Sequence, residues 1–243
     1  MLFSHLQTAD LKPSNRIFET QVMSRTIAIG DIHGCLQTLE TLLYDYLKIK
    51  DDDQLIFLGD YINRGPDSTG VLDLLVELKN QNPHWVFLRG NHEDLLIGFL
   101  TQRSSPYSGK AIEPLFLANL KCSSWDELRT EYLQFIMNTQ HFHRTNTHIF
   151  VHAGLNFSLD DPFTDLHSMM WIREMPEDPA ALKNATLIHG HTPWALKKIL
   201  GQQDSILNID GGCVYKGQKP GCGYLVGYIV NDGSLVYCEN ADQ

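Results

Sequence analysis

Five stretches of the chain set an acid, an amide or an imidazole against a glycine at the end of an apolar run. They are Ile27-Ala-Ile-Gly-Asp31-Ile-His33-Gly34, Leu55-Ile-Phe-Leu-Gly59-Asp60, Val86-Phe-Leu-Arg-Gly90-Asn91-His92-Glu93, Ile149-Phe-Val-His152-Ala-Gly154 and Leu187-Ile-His189-Gly-His191-Thr. A lone histidine on an apolar strand is ordinarily a core or surface residue. Five such junctions in one chain change that weighting. Oxygen and imidazole donors without a thiolate suit manganese, iron or zinc in a catalytic site, and argue against a closed structural zinc site. Two divalent ions about 3.5–4 Å apart need a shared ligand, and a carboxylate such as Asp60 can give one oxygen to each. Asp31-x-His33 can grip one ion, because a turn after a strand lets alternate side chains converge.

Buried strands must position these residues. Leu55–Leu58 is a short uninterrupted apolar run, which suits a strand covered on both faces. An acid just past the carboxyl end of such a strand is how open α/β sheets build binding sites. Between the first three strands, Leu36, Leu39, Leu42, Leu43, Tyr46 and Leu47, then Val71, Leu72, Leu74, Leu75 and Leu78, repeat as buried helical stripes. Strand and helix in alternation predict a parallel sheet with right-handed crossovers. Residues 94–141 read as a helical insertion, with a soft break at Ser104-Ser-Pro106-Tyr-Ser-Gly109. From Thr147 the chain reads as strands at 147–151, 186–189, 205–209, 224–231 and 234–238, the last two joined by a hairpin at Asn231-Asp232-Gly233-Ser234. These later strands are expected to form a second sheet against the first. Residues 1–23 carry no period and read as an extension ahead of a single domain, 24–243.

Composition narrows the class. At 243 residues, 43% hydrophobic and 20% charged, the chain is that of a globular α/β protein with a full core. The formal charge of −10 argues against a nucleic-acid partner, which would need a basic footprint. Five cysteines with no C-x-x-C pair fit a reducing compartment. Without a signal-like segment or a membrane-length apolar run, the expected address is the cytoplasm, with no membrane partner.

The blocks Gly30-Asp31-Ile-His33-Gly34, Gly59-Asp60-Tyr-Ile-Asn63-Arg64-Gly65, Gly90-Asn91-His92-Glu93, His152-Ala-Gly154 and Gly190-His191-Thr192 resemble the signature of the phosphoprotein phosphatase family of calcineurin-like metallophosphoesterases. The short bacterial and phage serine/threonine phosphatases are the members it looks most like. The resemblance implies a four-layer α/β sandwich of two mixed β-sheets flanked by helices. It further implies two divalent ions, manganese first and iron or zinc otherwise. Asp31 and His33 would bind one ion, and Asn91, His152 and His191 the other, with Asp60 bridging. Arg64 and, from Trp171-Ile-Arg173-Glu174, Arg173 would hold the substrate phosphate, together with Asn91. His92 matches the family's catalytic histidine. The implied reaction is hydrolysis of a phosphoprotein or phosphopeptide. A hydroxide bridging two metals attacks phosphorus in line, and His92 protonates the departing serine or threonine oxygen.

One position departs from the family pattern. The residue before the block-two arginine, ordinarily an aspartate paired with the catalytic histidine, is Asn63. An Asn oxygen can accept from an imidazole N–H but lacks the charge that stabilises imidazolium, so His92 is expected to have a lower pKa than in the Asp form. Asn63 also feeds an alternative. Symmetrical diadenosine tetraphosphate hydrolases share the metal signature and carry an uncharged residue there. A non-catalytic scaffold binding phosphoproteins is the remaining rival, and the complete ligand set speaks against it. His141, His143 and His148 match no block. His189 is expected on the sheet face opposite His191, and Cys35 as a small buried thiol. Glu93 is expected to cap a helix or orient a neighbour, and Asp210-Gly-Gly212 is given no ligand role. Tyr61 and Tyr215 are expected at the rim of the substrate groove.

Overall fold

The computed structural model describes residues 24–101, 112–175 and 182–242. The extension at 1–23 and the break at 104–109 lie outside these. Alternation along the strands explains the layering. In β2 (Gln54–Phe57), Leu55 and Phe57 face one apolar cluster while Ile56 and the following Leu58 face another. β1 (Thr26–Ile29) repeats this, with Ile27 and Ile29 on one side and Ala28 on the other. β1, β2 and β3 (Val86–Phe87) are parallel neighbours, as the alternation of strand and helix requires.

The second sheet is β4 (Phe142–Arg144), β5 (His148–Val151), β6 (Thr186–His189) and β7 (Ile206–Asn208), in the order β4-β5-β6-β7. Phe150, Ile188 and Leu207 meet Ile56, Leu58 and Ala28 between the two sheets. Ile149, Val151 and Leu187 turn outward onto Leu155, Met169 and Leu182. Two mixed sheets flanked by helices give the expected four layers. One expectation fails. β8 (Tyr224–Ile229) and β9 (Ser234–Glu239) do not join the second sheet; β8 pairs antiparallel with β1, giving the order β3-β2-β1-β8-β9. The edge of β1 would otherwise expose unpaired backbone groups in the middle of the molecule, and β8 satisfies them. The hairpin at 230–233 stands as expected, with Ile229 opposite Ser234.

The helices back the first sheet. α1 (Leu36–Glu40) runs on as a π-helical segment, Thr41–Tyr46. α2 (Ser68–Gln81) buries Val71, Leu72, Leu75 and Leu78, and Asp67 caps it by accepting from the Gly70 amide at 3.1 Å. α3 (Asn91–Leu100), α4 (Glu113–Asn119) and α5 (Thr130–Met137) occupy the segment read as helical from sequence. α6 (Leu166–Trp171) packs on the outer face of the second sheet through Met169, and α7 (Leu196–Leu200) puts Ile199 into the apolar cluster between the sheets. No helix among the described residues is long and apolar enough to cross a membrane.

Candidate metal centre

The carboxyl ends of β1, β2, β3, β5 and β6 meet, and so do the residues that follow them. Asp31, His33, Asp60, Asn91, His92, His152 and His191 are all less than a tenth exposed. Their backbone is unusual. His33, Asp60, Asn63, Arg64 and His191 all have positive φ, between 50° and 70°. Such strain in residues other than glycine persists only where the surroundings over-determine it, and it gathers at functional sites. Two glycines allow the close approach: a Cβ at Gly90 would strike the Asp60 carboxylate, and one at Gly190 the Asp31 carboxylate.

Asp60 is the centre of the arrangement. One oxygen lies 3.3 Å from His33 Nε2 and the other 3.5 Å from His152 Nε2. Burial would raise the Asp60 pKa, but His152, His92, His33 and His191 around it hold it well below the usual carboxylate range. Glu93 fixes the Asp60 loop. Its carboxylate accepts the amides of Asp60 at 2.8 Å, Tyr61 at 2.9 Å and Gly90 at 3.0 Å, so it caps α3 and ties the β2 and β3 ends together. Burial, followed by the nearby Asp60 charge, pushes the Glu93 pKa up to about 8.

On one side of Asp60, His152 Nδ1 donates to the Leu58 carbonyl at 3.0 Å, which leaves the lone pair on Nε2. That lone pair faces Asn91 Oδ1 at 3.3 Å and His191 Nδ1 at 3.2 Å, and His191 Nδ1 is 3.0 Å from the same Asn91 oxygen. His191 Nε2 is buried without a hydrogen-bond partner, so in either neutral tautomer one of its nitrogens is unsatisfied. Lone pairs gathered on one point repel each other unless a cation stands among them. This donor set of imidazole nitrogens, an amide oxygen and a carboxylate fits a divalent metal.

On the other side, His33 Nδ1 donates to the Ile62 carbonyl at 3.1 Å, leaving Nε2 as the lone pair. It accepts from Arg64 Nη1 at 2.6 Å while facing Asp60. Here the closest grouping of ligand-type atoms is His33, Asp60 and His92. Asp31 is buried at the same strand end, but its oxygens accept the His191 amide at 3.2 and 3.1 Å. Burial, Asp210 and Asp60 push its pKa well up, so its ionised form needs a positive neighbour.

His92 donates its backbone amide to Asp60 at 3.0 Å, and its ring stacks on Phe116 of α4 with centroids 6.0 Å apart. Burial lowers its pKa to about 4. Asn63 stands beside it as expected, but the other way round. The amide nitrogen, 3.0 Å away, donates to His92 Nδ1, which places the neutral ring's proton on Nε2 and leaves Asn63 Oδ1 buried without a partner. Arg173 is exposed, and its charge contributes to the lowered pKa of His152 and His191.

Several other expectations meet the structure here. Tyr61 does not border a groove; it is fully buried and donates to the Leu88 carbonyl at 2.6 Å, because its backbone sits inside the Glu93-held loop. Tyr215 does reach the site, with the Arg64 guanidinium 5.7 Å above its ring. Cys35 is a buried thiol. Asp210, given no role from sequence, is buried, accepts the Gly212 amide at 2.8 Å and contributes to the raised pKa of Asp31. An acid one residue past Ile209 of an apolar run was the available signal.

Strand-end carboxylates, imidazoles and an amide converging on a central aspartate, between two mixed sheets, define the metallophosphoesterase class. A family model for calcineurin-like phosphoesterases matches residues 24–228, and the chain belongs to that family. Over 211 residues the chain is 28% identical to serine/threonine-protein phosphatase 1 of Salmonella typhimurium, covering 78% of this chain and 87% of the relative. It is 30% identical over 141 residues to a symmetrical bis(5'-nucleosyl)-tetraphosphatase of Nitrosomonas europaea, where the match spans 56% of this chain and 47% of the relative. The fold is shared with the cold-active protein-tyrosine phosphatase of a psychrophilic Shewanella, with a TM-score of 0.61 at 18% identity, over 91% of this chain and 79% of that one.

Proposed function

We propose that this chain is a metal-dependent phosphomonoester hydrolase acting on phosphoserine and phosphothreonine in proteins, in the cytoplasm, with manganese as the first metal and iron or zinc as alternatives. The observation that carries hydrolysis is the placement of Asp60, one oxygen toward His33 Nε2 and one toward His152 Nε2, each presenting its lone pair, that of His33 also accepting from Arg64. Asp31 and His33 would hold one ion and Asn91, His152 and His191 the other, Asp60 serving both. When bound, two such ions supply Lewis acidity and an activated water for in-line attack at phosphorus.

The chain's own residues do the rest. The Leu58 and Ile62 carbonyls lock His152 and His33 in the tautomer that presents Nε2. Arg64 and Arg173, with Asn91, hold the phosphoryl oxygens by charge-assisted hydrogen bonds, for which a planar guanidinium is suited. His92, whose Nδ1 accepts from Asn63, is the general acid: protonated to imidazolium, it gives one proton to the departing alkoxide and is left as the neutral ring. A serine or threonine oxygen is a poor leaving group, and this acid answers that need. Similarity to a serine/threonine phosphatase along most of both chains supports the same substrate.

A second reading is favoured by Asn63. A nucleoside polyphosphate leaves more readily than an alkoxide and asks less of an acid, so an uncharged partner for His92 suits a diadenosine tetraphosphate hydrolase. Steady-state turnover after Mn²⁺ reconstitution, with a phosphoserine peptide and diadenosine tetraphosphate side by side and Asp60→Asn as the blank, separates the readings. Preference for the peptide, lost in the blank, is expected. Preference for the dinucleotide selects the second reading, and turnover of neither restores the scaffold.

A further inference from the structure

α1 begins three residues after His33 and cannot cap itself. Its N-cap residue is Cys35, whose side chain makes no capping bond, so the first-turn amides need acceptors from elsewhere. Asp242 supplies them from about 205 residues further along the chain. Its carboxylate accepts the Gln37 amide at 2.8 Å and the Thr38 amide at 3.0 Å, and the Thr38 hydroxyl donates to it as well. The Ala241 amide donates to that hydroxyl at 2.9 Å.

Asn240 binds the other side of the same turn. It is 1% exposed, and its amide nitrogen lies 3.4 Å from Cys35 Sγ and donates to the Cys213 carbonyl at 2.8 Å. Its side-chain oxygen accepts the Asp242 amide at 2.7 Å, and its backbone amide donates to Gly223 at 2.8 Å. Cys213 opens the short helical turn Cys213–Tyr215, and the Tyr215 ring lies under Arg64. Asn240 and Asp242 therefore clasp two pieces of backbone that both carry site residues. One presents Asp31 and His33, and the other presents Tyr215 beneath Arg64.

We propose that Asn240 and Asp242 are positioning residues of the metal centre, a clip that sets the His33 turn and the Tyr215 loop against each other and thereby sets the affinity of the His33 side for its ion. The proposal rests on the metal-centre reading above. Groups that orient metal ligands cost about 10–100-fold in affinity when removed.

The test is Mn²⁺ binding to the full chain, followed by the electron paramagnetic resonance of free Mn²⁺, alongside thermal melting of the metal-free protein. The variants are Asp242→Ala, Asp242→Asn and Asn240→Ala. The control is Asp53→Asn, which weakens the Arg25 ion pair at the opposite end of β1 and β2. The expected result is an at least tenfold weaker dissociation constant for one of two ions in Asp242→Ala and Asn240→Ala. Asp242→Asn, which keeps one acceptor and folds more readily, should lie between these and the wild type. Unchanged Mn²⁺ constants with a lowered melting temperature would mean a clip that only stabilises, and would overturn the proposal. An equal loss in Asp53→Asn would overturn it too, as general destabilisation. A wild-type chain that binds no Mn²⁺ fails at an earlier step and overturns the metal-centre reading along with the clip.

Discussion

Asn63 donates to His92 Nδ1 rather than accepting from it, and this decides what the histidine can do. A ring that receives a hydrogen bond at Nδ1 is favoured neutral, with its one proton on Nε2. Burial already holds the His92 pKa down at about 4. An aspartate here would accept from Nδ1–H and stabilise imidazolium, raising the pKa by roughly 1–3 units for a charge at this distance. The sign follows directly. A raised pKa keeps the acid protonated to higher pH, so the limb of the kcat profile that falls with loss of that proton should move to higher pH in Asn63→Asp. The change should be largest for phosphoserine peptides and smallest for p-nitrophenyl phosphate, whose leaving group needs little protonation. A profile that does not move would show that Asn63 only closes the turn.

At the scale of elements, the least self-sufficient piece of the site is the short α6, which ends at Trp171, two residues before Arg173. Six residues make a marginal helix, since nucleation is costly and few bonds repay it. Asp165 holds its start. The carboxylate accepts the Ser168 amide at 3.0 Å, the Ser168 hydroxyl at 2.7 Å and Asn156 Nδ2 at 3.0 Å. Those bonds, Asn156 first, lower its pKa to about 2. Because the folded pKa lies below the unfolded value, the stabilisation is present above pH ~4 and is lost as pH falls through about 2. Asp165→Ala should therefore cost about 1 kcal/mol at pH 6 in urea melts. The gap to wild type should close between pH 4 and pH 2. A gap constant across that range would mean the helix start is held by packing alone.

Across the whole molecule, what could be read from sequence was what is local. The strand-end ligands stood out because each lies within three residues of a glycine that ends an apolar run. The sheet to which β8 and β9 belong did not stand out, since periodicity shows that Tyr224–Ile229 is a strand but not that Ile27 is its neighbour. Asn240, Asp242 and the Tyr215 contact to Arg64 were hidden for the same reason: each joins residues some 150 to 200 positions apart, and none forms a local motif. Folding brings Asp31, Asp60 and Asp210 into one low-dielectric site, and that has a cost measurable on the intact protein. Burial raises the Asp31 pKa and takes Asp210 up to about 7. A group with a raised folded pKa contributes stability below its unfolded value and loses it as pH rises through the folded one. The contribution of these acids to the stability of the metal-free protein should thus fall from pH ~4 through about 7, opposed over the same range by the buried histidines of the site, whose lowered pKa favours the folded state as pH rises. Divalent cations favour the ionised acids and displace their protons, so the stabilisation they give should grow over the same range. Mn²⁺ at about 100 times its dissociation constant adds about 2.7 kcal/mol per site, and each kcal/mol moves the melting temperature by about 2–4 °C at this chain length. The gain in melting temperature on adding Mn²⁺ should be smallest at pH 5 and rise steadily to pH 8. A gain that is flat or falls with pH would mean that these buried carboxylates carry no charge for the metal to meet.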